Sequence, residues 1–129
     1  MLNDPLSNVM SHIQNCEQKG RTECFVKPNS TLVKSVLKIL KDNDFIGDFK
    51  VVEETKGGLI EIKLIGNINK CGVIKPRYAV KRDNFEKFEK RYLPAANFGF
   101  LIVSTPLGIL MHKDAIAKNQ GGKLLAYCY

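Results

Sequence analysis

The sequence has few of the residues from which metal centres and redox motifs are usually built. Its only histidines are His12 and His112, and its four cysteines, Cys16, Cys24, Cys71 and Cys128, include no C-x-x-C pair. With no zinc spacing, neither a metal site nor a cofactor is expected. Asp4, Asn8, His12 and Glu17 interrupt the first twenty residues, and no later stretch approaches the ~20 apolar residues of a membrane span. A soluble, cytoplasmic protein without a membrane partner is expected, and its cysteines read as small buried hydrophobes with reduced thiols. A P-loop, a GxGxxG turn and an H-E-x-x-H helix are also missing. Ser104, His112 and Asp114 lie close in sequence but lack the glycines of a nucleophile elbow, so the chain is not expected to be an enzyme. There is no internal repeat and no low-complexity segment.

What is present is an ordinary globular composition, 44% hydrophobic and 26% charged over 129 residues, enough for one compact domain or two small ones. The net charge of +7 is distributed unevenly. Residues 1–69 hold nine basic and nine acidic side chains, whereas residues 70–129 hold eleven basic ones against Asp83, Glu86, Glu89 and Asp114. The excess therefore sits entirely in the second half. A polyanion partner selects for such an arrangement, because neutralising phosphates releases condensed counterions; a basic face kept for solubility is the alternative.

Apolar periodicity gives the organisation. Asp4-Pro5 reads as an N-cap and first helical position, with Leu6, Val9, Met10 and Ile13 on one face. Thr22 to Val26 reads as a strand. Asn29 or Ser30 can cap a second helix carrying Leu32, Val33, Val36, Leu37 and Leu40, which ends at Asp42-Asn43-Asp44. From Phe49 the period becomes two, with Val51-Val52, a Gly57-Gly58 turn, then Ile60, Ile62 and Leu64, which reads as a hairpin. Gly66 to Pro76 is basic and turn-rich and marks a boundary. Beyond it, Asn84 can cap a short helix with Phe85, Phe88 and Tyr92 on one face, stopped by Leu93-Pro94. Phe98 to Val103 reads as a buried strand, Pro106-Leu107-Gly108 as a turn and Ile109-Leu110 as the start of the next strand. Ala115 to Lys118 can form a helical turn or two, Gly121-Gly122 breaks it, and Leu124 to Tyr129 closes as a strand. The expected fold class is α+β: a small αβαββ N-terminal domain over residues 1–66, then a basic, β-rich, RNA-binding C-terminal domain with short helices over residues 67–129.

Three groups could carry binding chemistry. Ser104 and Thr105 precede the Pro106-Leu107-Gly108 turn, and exposed hydroxyls there would suit irregular RNA; hydroxyls bonded to their own turn are the plain alternative. Gly121-Gly122-Lys123 joins two residues without side chains, which allow close backbone approach, to a cation; a left-handed glycine stopping a helix is its alternative. The third group is Lys70, Lys75, Arg77, Lys81, Arg82, Lys87, Lys90 and Arg91, interleaved with aromatics. Phe85 and Phe88 are assigned to packing, Tyr78 is a stacking candidate, and the cations are phosphate contacts that position without specifying.

The run Gly99-Phe100-Leu101-Ile102-Val103-Ser104-Thr105-Pro106-Leu107-Gly108-Ile109-Leu110, with Ala115 beyond it, resembles the signature of the small-subunit ribosomal protein eight family. The similarity extends to Asp4-Pro5-Leu6, Lys27-Pro28-x-Ser30, Ile68 to Arg77, Arg91-Tyr92-Leu93-Pro94 and Gly121 to Tyr127, so it spans nearly the whole chain. Asn69-Lys70-Cys71-Gly72 and Leu93-Pro94 are similar to the archaeal and eukaryotic branch. The resemblance implies a two-domain protein of the cytoplasmic ribosome that binds a central-domain helix of small-subunit ribosomal RNA beside neighbouring small-subunit proteins. It implies RNA contact at Ser104, Thr105, Gly121 and Gly122, beside which Gly108 of the same turn and Lys123 are counted as candidate contacts, and secondary backbone contacts at Asp4, Ser30 and Thr31. It also implies, as an alternative role, repression of the protein's own operon messenger RNA. Three positions depart from the family pattern: Pro106 replaces a usual serine, with loss of its hydroxyl and N–H; Met111 replaces a helix-capping Thr or Ser; and Thr31 replaces a common lysine.

Overall fold

The computed structural model describes residues 5–26, 31–52, 59–75, 77–81, 83–95 and 98–129. The chain divides into two compact units, Met1–Asn69 and Lys70–Tyr129.

In the first unit, helix α1 (Pro5–Gln18) and helix α2 (Thr31–Asp42) form where the apolar residues recur with helical spacing. Leu6, Val9, Met10 and Ile13 of α1, and Val33, Val36, Leu37 and Leu40 of α2, are all buried. The caps expected at Asp4, Asn29 and Ser30, and the Gly57-Gly58 turn, lie outside the described residues. Both helices end the same way. Gly20 and Asp44 take positive φ (70° and 61°), and the following residues, Arg21 and Phe45, donate N–H bonds to the carbonyls of Cys16 and Leu40. This is the Schellman arrangement, which satisfies carbonyls left over in the last turn.

The helices bury one face of a sheet ordered β1 (Glu23–Val26), β3 (Leu59–Leu64), β2 (Ile46–Val52), all antiparallel. Cys24, Val26, Ile60, Ile62 and Leu64 face inward, as strand alternation requires. On the other face charges meet across the ladder. Lys63 pairs with Glu23 and, at 3.0 Å, with Glu61, while Lys50 lies 3.4 Å from Glu61. The β2 strand starts at Ile46, earlier than the period change at Phe49 suggested, because an irregularity between Ile46 and Phe49 breaks the alternation there.

In the second unit, strands β4 (Cys71–Val73), β5 (Ala79–Val80), β6 (Phe100–Thr105), β7 (Gly108–Met111) and β8 (Gly122–Cys128) make one antiparallel sheet. The order is β4-β8-β6-β7, with β5 also pairing β8. Neither β4 nor β5 follows from the sequence pattern. At three and two residues they are too short to show alternation, and β8 alone recruits them. Helix α3 (Phe85–Tyr92) and helix α4 (His112–Ala117) complete the unit. Asn84 occupies the N-cap of α3 without bonding it through its side chain, and Leu93, ahead of Pro94, is extended and ends the helix. Helix α4 begins three residues before the expected Ala115, with Met111 at the cap and no side-chain cap bond. Ile74, Val80, Phe85, Phe88, Leu93, Leu101, Val103, Ala115 and Leu124 form this unit's core. A bulge in β8, where Ile102 pairs Ala126 but Val103 pairs Leu124, leaves Leu124, Leu125 and Ala126 buried in succession.

A buried histidine ties these elements together. His112 is 1% exposed; its Nδ1 accepts the Leu101 N–H at 3.0 Å and its Nε2 lies 2.7 Å from Glu89 Oε1. The ring thus spans β6, α4 and α3 as a neutral imidazole donating through Nε2. Burial holds its pKa below the ordinary histidine value, against the opposing pull of the Glu89 carboxylate.

Candidate nucleic-acid interface

The β6–β7 hairpin turns over Pro106 and Leu107, and its geometry explains the hydroxyl pair. Thr105 Oγ1 donates to the Gly108 carbonyl at 2.7 Å and accepts the Leu107 N–H at 3.2 Å. Thr105 is 9% exposed. The expectation that both hydroxyls are exposed and orientable is therefore corrected: Thr105 is taken up by its own turn, while Ser104 on the opposite sheet face is exposed. Gly108 closes the hairpin at φ 124°, a conformation side chains rarely adopt, and no atom lies within 4 Å of where its Cβ would stand.

Strand register then assembles the rest. Lys123 pairs Ala79 on one side and Ser104 on the other, and Ser104 in turn pairs Ile109. Directly opposed residues share a sheet face. Ser104 and Lys123, nineteen positions apart in sequence, thus stand side by side on one surface, both exposed.

Gly122 has a reason of its own. Its Cβ would lie 2.0 Å from the Ser104 carbonyl oxygen, so β8 can lie against β6 at this level only without a side chain. The left-handed residue ending α4 is Asn119 (φ 57°), not a glycine, with Gln120 N–H bonded to the Ala115 carbonyl. The helix stop thus falls at Asn119 rather than at the glycine pair, and Gly122 makes an internal close approach to β6.

The basic residues fall into two groups. Lys70 exchanges both backbone bonds with Tyr129, Ile74 donates its N–H to Leu125, and Tyr78 accepts the Leu124 N–H. The segment carrying Lys70, Lys75 and Arg77 therefore runs along the edge of β8, with all three side chains exposed. At ~3.4 Å per residue this track is roughly 20 Å long. Arg77 ends near the Ser104–Lys123 row, and Lys70 lies at the far end. On α3, the Arg91 guanidinium sits 5.7 Å from both the Tyr78 and the Phe88 ring centres, and Tyr78 packs 5.3 Å from Phe88. Tyr78, expected as a stacking platform, is thus part of the packing. Asp4, Ser30 and Arg82 lie outside the described residues; Thr31 opens α2, and its side chain is not described.

The sequence did not single out Leu107, 60% exposed at the hairpin tip. An apolar residue in a turn position where polar ones dominate is the signal that could have found it. A cavity of about 550 Å³ lies beside α3, but Asp83, Glu86 and Glu89 line it, which makes it unsuited to phosphate. The chain also matches the family model described as Ribosomal protein S8, over residues 4–129.

Proposed function

The chain belongs to the ribosomal protein S8 family, and from that premise we propose that its second unit binds a helix of the central domain of small-subunit ribosomal RNA and directs assembly there. Membership itself carries the coarser statement: a ribosomal, structural, rRNA-binding component of the small subunit, alongside other ribosomal proteins. No described helix is long and apolar enough to cross a membrane.

One observation supports the finer reading above the others. The unit holding all the net positive charge is also the one in which strand register sets exposed Ser104 beside exposed Lys123, next to a protruding hairpin. The hydroxyl and the hairpin's open Gly108 offer close contact with irregular RNA, and the Lys70–Lys75–Arg77 track offers phosphate contacts that fix orientation. Catalysis has no part in this reading. Binding to the protein's own operon messenger RNA remains the alternative role and requires the same surface.

Footprinting the protein on small-subunit ribosomal RNA tests the proposal. Protection of one central-domain helix is expected, lost in a Ser104→Asp, Lys123→Glu double variant that still melts cooperatively. Protection unaffected by that variant, or confined to another domain, refutes it. Sedimentation separates the two roles: the assembly role places the protein with small subunits, the regulatory one in a free pool with messenger RNA.

A further inference from the structure

We propose that His12, Cys16 and Cys24 form a three-ligand site for a thiophilic divalent metal of the zinc type, in the first unit. The reading is independent of the RNA surface.

His12 and Cys16 stand one helical turn apart on α1, so they share a face. Cys24 sits on β1 at an inward-facing position, in register with Ile62, and the α1 C-terminal turn at Gly20 brings that strand back beside the helix. The imidazole nitrogen and two sulfurs all lie within 4.8 Å of one another, and Cys16 Sγ is 3.8 Å from His12 Nε2. A tetrahedral zinc with Zn–S of ~2.3 Å and Zn–N of ~2.0 Å needs sulfur–nitrogen and sulfur–sulfur separations of about 3.6 and 3.8 Å. The observed His12–Cys16 distance of 3.8 Å is within a few tenths of an ångström of the first, and Cys24, within 4.8 Å of both, has to close by no more than about 1.2 Å.

Two thiolates balance the charge of a divalent ion, so the loaded site is neutral, which suits cysteines that are 4% and 1% exposed. His12 is exposed, and a cavity of about 520 Å³ lined by Arg21, Thr22 and Glu23 as well as the three ligands opens at the group. The fourth coordination position is thus accessible to water or a small exogenous ligand. Ligation would tie the end of α1 to β1.

The test uses the full chain, reduced and stripped with a chelator, then titrated with Co²⁺ as a spectroscopic stand-in for zinc. One Co²⁺ per chain is expected, with thiolate-to-metal charge transfer and tetrahedral d–d absorption, and Zn²⁺ should bleach both. Cys24→Ser should abolish the thiolate signal of a two-sulfur site, whereas Cys71→Ser, in the other unit, should retain it. Because serine at a buried position can unfold the unit, His12→Asn at its exposed position is the decisive variant. It should keep the far-UV spectrum of the parent and weaken Co²⁺ at least about tenfold, the scale of disturbing even an outer partner of a ligand. Zn²⁺ should raise the melting temperature of the parent and not of His12→Asn. The proposal is overturned if the reduced, folded parent gives no such spectrum, if His12→Asn binds as the parent does, or if thiol trapping in cells finds Cys16 and Cys24 joined as a disulfide.

Discussion

Gly122→Ala adds a single methyl group and asks whether the double glycine serves the protein's own sheet. The new Cβ would stand 2.0 Å from the Ser104 carbonyl oxygen, 2.8 Å from its carbon and 3.2 Å from Thr105 Cα. Even close C–H···O contacts need about 3.3 Å, so β8 must withdraw from β6 by more than about 1 Å. No rotamer relieves this, since the obstacle is backbone. Overpacking costs ~1–3 kcal/mol, and each neighbouring ladder bond lost adds ~0.5–1.5 kcal/mol. A destabilisation of about 3 kcal/mol follows. In a domain of this size 1 kcal/mol corresponds to roughly 4–8 °C, so the second unit should melt on the order of 12–24 °C lower by far-UV circular dichroism. Gly108→Ala is the control: its Cβ meets nothing within 4 Å and only the φ of 124° resists it, for ~1–2 kcal/mol. A Gly122→Ala protein melting as the parent does would refute the reasoning. Where the variant still folds at low temperature, the salt slope of its RNA binding should equal the parent's, because its cations are intact.

Thr105→Ala removes the hydroxyl that donates to Gly108 and accepts from Leu107; it should cost ~1–2 kcal/mol of stability in urea unfolding, and Thr105→Ser should restore most of it. His112 binds its proton less readily folded than unfolded, because burial lowers its pKa. Its stabilisation is therefore complete above the unfolded value of about 6.5 and is lost as pH falls through that value toward the folded pKa. Urea midpoints at pH 7.5 and 5.5 should differ more for the parent than for His112→Gln, and an equal difference would remove His112 from the account. Arg77→Ala, on the β8 edge track, should lower the slope of log K against log salt by about one and weaken specific and scrambled RNA alike; an unchanged slope would take Arg77 out of phosphate contact.

The helices were legible because Leu6, Val9, Met10 and Ile13, and later Val33, Val36, Leu37 and Leu40, repeat with a period that only a helix can bury on one side. The charge split was legible because charge needs no geometry. Whether a hydroxyl is available was not, since Ser104 and Thr105 are adjacent and point to opposite faces, and only the hairpin bonds decide which one is spent internally. Gly122 was noticed for close approach, but the neighbour that the structure supplies, the backbone of Ser104, was not legible, because that strand arrives from eighteen residues upstream. The meeting of His12, Cys16 and Cys24 was hidden for the same reason: their linear spacing fits no ligand motif, and a helix turn and a strand register bring them together.

Strand β8 lies between β4 and β5 on one side and β6 on the other, yet it follows all of them in the chain. The pairings of β4, β5 and β6 with β8 therefore wait for residues 122–128, while the β6–β7 hairpin closes locally, and Cys71 cannot find its cross-strand partner Cys128 until β8 is present. Such long-range closure is slow by nature. It also couples the row to the sheet: without Gly122–Cys128 the β6–β7 hairpin keeps Ser104 but has neither Lys123 nor the strand that sets it alongside, so the Ser104–Lys123 row does not exist until β8 docks.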